Sequence, residues 1–306
     1  INQFGIEQIT KSDAIGTQIQ LYLGIRKWGV FLACTQGVMM SYLMGTARTQ
    51  PVIFATIFMG VTNIFLDYGL IFGYLGFPKL GIEGAALASV IAEGVGCLTL
   101  LFFILQSSSR FKKALFQPVR IQWKQIKAIL SMSFPLMIQG LIAMGAWTVF
   151  FSMIEQLGPL PLEVSQVIRS IYFIAFVPIF GFSAATKTYV SYYKGRNDIK
   201  SIITVQKKVI VLNIVLLCLI FHGALFYPET FIMVVDNNPE IFESTATILR
   251  WIFGSVLLFG VSSVFFNTIN GLGHTRYTLF VEIVSLTLYQ TAAYIVIFVT
   301  LQPIEN

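Results

Sequence analysis

The sequence predicts an all-α polytopic membrane protein: a transmembrane helix bundle in two pseudo-symmetric lobes, built as parallel repeats and truncated at both ends. Three observations carry that prediction. The chain is 56% hydrophobic and only 11% charged, where a soluble domain carries roughly a quarter charged residues. Its apolar residues fall into eight long segments separated by short polar turns. The segment pattern repeats itself when the chain is shifted by 226 residues.

Taken in order, residues 1–18 are polar and mixed and read as a loop. Apolar segments follow at 19–44, 50–74, 83–106, 126–157, 162–193, 203–227, 241–270 and 275–300. Each is long enough to cross a hydrocarbon core, which takes about 20 helical residues. The first three form an N-terminal lobe over residues 1–106, a basic linker occupies 107–125, and five more helices form a C-terminal lobe over 126–306. The chain opens on Ile1 rather than Met, with no signal peptide ahead of the first span, so missing helices upstream are expected.

Charge sets the orientation. Arg110, Lys112, Lys113, Arg120, Lys124 and Lys127 fall between the third and fourth spans, and Lys194, Arg196, Lys200, Lys207 and Lys208 between the fifth and sixth. The alternate loops carry Glu83, Glu155, Glu163, Glu229, Asp236, Glu240 and Glu243. Basic loops stay in the cytoplasm, which places both termini outside. The net charge of +6 is therefore an orienting charge and not a nucleic-acid footprint. The linker reads as lying along the lipid headgroups. Three cysteines, Cys34, Cys97 and Cys218, lie far apart in apolar segments, and there are only two histidines. Neither a disulfide framework nor a metal site is expected from such spacing.

The stretch Gly45–Glu93 holds the strongest chemical signal. Asn63 and Asp67 stand four apart within an apolar helix, on one face with Thr56 and Gly60. A carboxylate in a membrane helix is costly and marks an ion or substrate path. Asp67 lies about 10 Å in from the outer helix end at 1.5 Å per residue. It suits the titrating or coordinating group of a cation site, with Asn63 supplying a neutral oxygen; the bland alternative is a helix-packing hydrogen bond. After a Gly/Pro turn, Gly84, Ala88, Ala92 and Gly96 form a small-residue stripe that lets another helix approach closely. Ser89 and Glu93 follow on the same helix; Glu93 lines the same cavity, bonds to a neighbouring helix, or sits near the lipid headgroups of a tilted span. Gln139 and Trp147 are further candidate cavity-lining residues. Arg169 is expected to pair with Glu155 or Glu163, and Glu282 to lie near the cytoplasmic end of its helix. Arg26 and Arg250 occupy matching outer positions and read as structural anchors.

In the 226-residue repeat, Gly45 falls on Gly271, Thr49 on Thr275, and Tyr68 on Tyr294. Ile25-Arg26 resembles Leu249-Arg250 upstream. Both Gly-x-x-x-Thr turns lie on the cytoplasmic side, so the repeats are parallel, with an axis along the membrane normal. The polar pair is not repeated: Asn63 falls opposite Tyr289 and Asp67 opposite Ala293.

The Gly-x-x-x-Thr turn with Pro51, NIFLDYGLIFG at 63–73, LGIEGAALAS at 80–89, IEQLG at 154–158 and NGLGHT at 270–275 together resemble the multidrug and toxic compound extrusion family of cation-coupled transporters. On the family's twelve-helix template the chain is similar to helices four to eleven. The resemblance implies an antiporter that expels organic, often cationic, compounds by alternating access in exchange for sodium ions or protons, with no other cofactor. Its partners would be a small organic substrate, a monovalent cation and the bilayer of the plasma membrane, with no nucleic acid, and it would act as a monomer. In the family an Asn and an Asp of the fifth helix join a first-helix carboxylate in the cation site; Asn63 and Asp67 match the former two. Some relatives carry a Glu soon after the seventh-helix Pro, where this chain has Gln139.

The sequence holds no Walker loop, no HExxH and no Ser/His/Asp constellation, so an enzyme or an ATP-driven pump is not expected. A lipid-linked precursor or polysaccharide flippase of similar architecture is the alternative, but it calls for a more cationic cavity. A non-transporting remnant is the third reading.

Overall fold

The computed structural model describes residues 13–46, 48–107, 122–236 and 238–300. The helices are α1 (Asp13–Gly45), α2 (Gln50–Phe72), α3 (Ile82–Ser107), α4 (Trp123–Glu155), α5 (Pro159–Gly195), α6 (Ile199–Phe226), the short α7 (Pro228–Met233), α8 (Phe242–Gly271) and α9 (Thr275–Tyr294). A 3₁₀ turn, Pro239–Ile241, leads into α8, and a π-helical turn, Ile295–Thr300, continues α9. No strand occurs among the described residues. The basic linker expected at 107–125 and the loop at 1–18 fall largely outside them.

Seven of the described helices are long and apolar enough to cross a membrane, one fewer than the eight expected. The exception is α1. It has the length, 33 residues, but it carries Arg26 and Lys27 in its first half and Thr35, Gln36 and Ser41 in its second. Two of these polar groups are answered by protein: Arg26 pairs with Glu93, and Gln36 Nε2 lies 3.4 Å from Met59 Sδ. The helix also starts at Asp13, six residues before the expected start, and α7 was not expected at all. That helix is short, opens on Pro228, and buries Ile232.

The chain divides into two compact units, residues 1–120 and 121–306. In the first, α3 packs along both α1 and α2, while α1 and α2 scarcely touch each other. The small-residue stripe explains why α3 is central. Gly84, Ala88, Ala92 and Gly96 are all buried, and a Cβ added to Gly84 would stand 2.5 Å from the Leu70 carbonyl oxygen of α2. Backbone here lies against backbone, so no rotamer change makes room. Overpacking of this kind costs about 1–3 kcal/mol. Gly84→Val should therefore lower the thermal unfolding midpoint of the purified protein, while Gly24→Ala, where a Cβ meets nothing within 4 Å, should leave it unchanged. Equal midpoints would contradict the close α2–α3 contact. Leu43, Ala55, Leu100 and Ile104 fill the apolar core of this unit.

In the second unit α5, α6 and α8 pack on one another around Val167, Ile171, Ala175, Leu217, Phe221, Leu249 and Val256. Pro135 and Pro178 lie inside α4 and α5, and both helices run on through them. The helix α6 starts on a capping residue: Asp198 accepts from the Ser201 backbone N–H at 3.1 Å and its hydroxyl at 2.6 Å. Those two donors hold the Asp198 carboxyl below the usual carboxylate range. The pair α4 and α9 is joined by a buried polar chain, described below.

The 226-residue repeat has a structural counterpart. Helix α1 ends at Gly45 and α8 at Gly271, and α2 and α9 begin at Gln50 and Thr275 after short turns. Within each unit the two repeated helices make few contacts with each other.

Candidate functional site

Helix α2 presents the candidate site. Pro51 opens it, where a missing backbone N–H costs nothing. Gly73 closes it at φ +77°, donating its N–H to the Gly69 carbonyl at 2.8 Å. The return loop folds back, with the Leu80 N–H donating to the Leu70 carbonyl at 2.8 Å. Phe77 covers Gly69 so closely that a Cβ there would meet its ring at 2.8 Å. The C-terminal end of α2 is thereby fixed against the start of α3, and Asp67 sits one turn inside that fixed end.

Asn63 and Asp67 are half-buried. Asp67 Oδ1 and Asn63 Nδ2 are each fully shielded and have no hydrogen-bond partner. Buried polar atoms are nearly always satisfied, so two orphans one helical turn apart are a signal. The packing alternative, a hydrogen bond consuming these atoms, is not what the geometry provides. A half-turn of the Asn63 amide exchanges its nitrogen and oxygen, which presents a carbonyl oxygen one helical turn from the Asp67 carboxylate. That donor set, one charged and one neutral hard oxygen, fits a monovalent cation; a carboxylate alone fits a proton.

The remaining candidates separate into distinct surroundings. Thr56, two turns below Asn63, returns its hydroxyl to the Val52 carbonyl at 2.9 Å. Gly60 faces open space, since a Cβ there would meet nothing within 4 Å. Ser89 is half-buried on α3. Glu93, one turn further, faces α1 and not open space: its Oε1 accepts from Arg26 Nη1 at 2.8 Å, while Oε2 is buried without a partner. Gly29 leaves the room for this ion pair, because a Cβ there would sit 2.6 Å from Glu93 Oε2 and 2.9 Å from Arg26 Nη1.

Gln139 and Trp147 belong to the second unit. Gln139 is buried, and its Nε2 donates to Thr278 Oγ1 at 2.8 Å; Thr278 Oγ1 in turn donates to Asn270 Oδ1 at 2.6 Å. This chain ties α4, α9 and α8 together and leaves the Gln139 amide nitrogen engaged inside the unit. Trp147 is partly exposed and packs against Phe151 and Phe173, at centroid distances of 5.3 and 6.1 Å. Arg169 does not pair with Glu155 or Glu163. Its guanidinium donates to Gln166 Oε1 and lies 5.0 Å from the Phe151 ring centroid, while Glu163 accepts from Asn238 Nδ2 at 3.0 Å. The reason is local: Gln166 is one turn from Arg169 on α5, nearer than either acid. Among the described residues no three His, Cys, Asp or Glu side chains gather as a metal centre, and all three cysteines are free.

Comparisons with known proteins agree with this architecture. The MatE family model matches residues 135–295, just over half of the chain. A probable multidrug resistance protein NorM of Thermotoga maritima is 25% identical over 250 residues, covering 81% of this chain and 53% of that protein. The multidrug resistance protein MdtK of Photorhabdus laumondii is 22% identical over 243 residues, covering 78% and 51%. The chain thus spans about half the length of the curated relatives it matches. Among solved structures, the outward-facing form of a multidrug resistance MATE family transporter superposes with a TM-score of 0.83 at 18% identity, over 95% of this chain and 65% of that one. A MOP superfamily transporter from Pyrococcus furiosus, described by a binding pocket of reversed polarity, gives 0.78 at 20% identity over 92% and 62%. These relatives are transporters and not enzymes, and the apolar helices make the chain an integral membrane protein. With its helices, its repeat and a family match over more than half its length, the chain belongs to the MatE family.

Proposed function

We propose that the full-length gene product is a cation-coupled antiporter of the plasma membrane, exporting organic, mainly cationic, compounds by alternating access. The observation that carries this reading is the pair of orphaned polar atoms of Asn63 and Asp67 on one face of α2. In a MatE chain, such a pair is a seat for the coupling ion, sodium or proton. Asp67 supplies the charge, Asn63 the neutral oxygen, and the tight α2–α3 closure at Gly84 and Phe77 holds their helix end in place. When the seat fills, the negative charge is neutralised and the cost of keeping it in the membrane falls. A site of that kind can bias two arrangements of its helices only by binding one of them better.

Export of a lipid-linked anion is less well supported. It calls for free cationic side chains at membrane depth. Here Arg26 is held by Glu93 and Arg169 by Gln166 and Phe151. The test is accumulation of ethidium in bacterial cells stripped of their own efflux pumps. Cells expressing the full-length gene product should hold severalfold less dye than cells with empty vector. Equal accumulation for ethidium and for a panel of other organic cations would overturn the export reading.

A further inference from the structure

Helix α6 is 28 residues long, about 42 Å at 1.5 Å per residue, against a hydrocarbon core of about 30 Å. Part of it must therefore stand outside the core. Its start is flanked by Lys194, Arg196 and Lys200, and its end is followed by Glu229, Asp236, Glu240 and Glu243, so the start is cytoplasmic. Counting back from Phe226, about 27 Å of helix reaches Lys208. Lys207 and Lys208 therefore lie at the border between headgroups and hydrocarbon on the cytoplasmic side.

One stripe of α6 is buried in its unit: Ile202, Val209, Asn213, Leu217 and Phe221. The exposed side carries Lys207 and Lys208 and then Val211, Leu212, Val215 and Leu219. Lys207, Lys208, Val211 and Leu212 line a groove of about 420 Å³ on this side. Neither lysine forms an ion pair among the described residues. Two unpaired ammonium groups at headgroup level, above an apolar groove running toward the membrane centre, match one kind of molecule in both halves.

We propose that this groove is a binding site for an anionic glycerophospholipid of the cytoplasmic leaflet. Its phosphate lies between the Lys207 and Lys208 ammonium groups, and an acyl chain lies along Val211 and Leu212. The charged head supplies the preference for anionic over zwitterionic lipid. The apolar groove separates a lipid from a free phosphate ester, which has nothing to place there. The site does not depend on the transport reading.

The test counts lipid bound to the purified full-length gene product in detergent by native mass spectrometry, with phosphatidylglycerol, phosphatidylcholine and soluble glycerol 3-phosphate as probes. Phosphatidylglycerol should bind in preference to phosphatidylcholine, and glycerol 3-phosphate should not displace it. A lysine near the membrane surface contributes about fivefold to the affinity for an anionic lipid. Lys207→Gln with Lys208→Gln should therefore weaken phosphatidylglycerol binding about 30-fold. Lys124→Gln with Lys127→Gln, the same charge change on α4, should not alter it. Val211→Trp, which fills the groove at constant charge, should also weaken binding. The proposal is overturned if the α6 double variant binds like wild type, if the α4 double variant loses as much, or if the two lipids bind equally. Displacement by glycerol 3-phosphate would replace the lipid with a free phosphate ester.

Discussion

Replacing Asp67 with Asn should abolish gradient-driven efflux while leaving the protein folded and in the membrane. The substitution keeps size and hydrogen-bonding capacity and removes only the charge that a cation needs or the group that a proton occupies. Because Asp67 Oδ1 has no internal partner, nothing in unit 1 loses a hydrogen bond at that atom, and stability should hold or rise as a membrane charge disappears. Removing one partner of a desolvated charge interaction costs about 2–5 kcal/mol, which is about 30-fold or more in cation affinity. Asn63→Ala should weaken cation binding less, since it removes a neutral oxygen. Fluorescent-dye efflux from energised cells, paired with a measurement of membrane-inserted protein, checks both variants. Full efflux by the Asp67→Asn protein would remove this carboxylate from the mechanism.

The second large effect concerns Arg26 and Glu93. Arg26→Leu strands the Glu93 carboxylate between α1 and α3, where its exposure is only 16%. Breaking a buried pair in this way costs about 3–5 kcal/mol; the 30% exposure of Arg26 points to the lower end. Glu93→Leu should cost less, because the long arginine stem lets its head reach the membrane surface, whereas the short glutamate cannot. The double variant Arg26→Leu/Glu93→Leu should recover most of the loss, since apolar replacement of a whole buried pair is often neutral. Thermal unfolding of the four proteins forms the double-mutant cycle. Additive losses would show that the two side chains do not act as a pair.

These two sites differ in how far the sequence discloses them. Asn63 and Asp67 stand out in the sequence because a carboxylate in an apolar helix is costly and the four-residue spacing sets both on one face. The α3 stripe is legible for the same reason: small residues at helical spacing mean close approach, and Gly84 meets the Leu70 backbone. The Arg26–Glu93 pair is half legible. Both charges stand out within long helical segments, but their spacing in sequence says nothing of the α1–α3 packing that joins them. Opposite charges in apolar segments of one unit are the signal that points to such a pair.

Gln139 shows the opposite limit. The sequence shows an amide inside a span, but its partners Thr278 and Asn270, more than 130 residues away, are set only by the packing of α4, α8 and α9. Arg169 likewise finds Gln166 one turn away, and a near neutral partner displaces the more distant acids that charge alone suggests. The sequence counts one span more than the seven described helices apolar enough to cross a membrane, because α1 has the length of a span but carries Arg26, Lys27, Thr35, Gln36 and Ser41. That Glu93 of α3 and Met59 of α2 meet two of these groups is set by packing alone. Short α7 escaped notice because six residues after a proline carry no helical period.

The most direct test of exchange is a two-way flux measurement. The full-length gene product is reconstituted into liposomes, an organic cation is loaded inside, and a sodium or proton gradient is imposed across the membrane. Dye release and cation entry are then recorded together. Dye should leave as the cation enters, at a fixed ratio, with both fluxes lost in the Asp67→Asn protein. Dye release that proceeds without cation entry, or with the cation moving in the same direction, would contradict exchange.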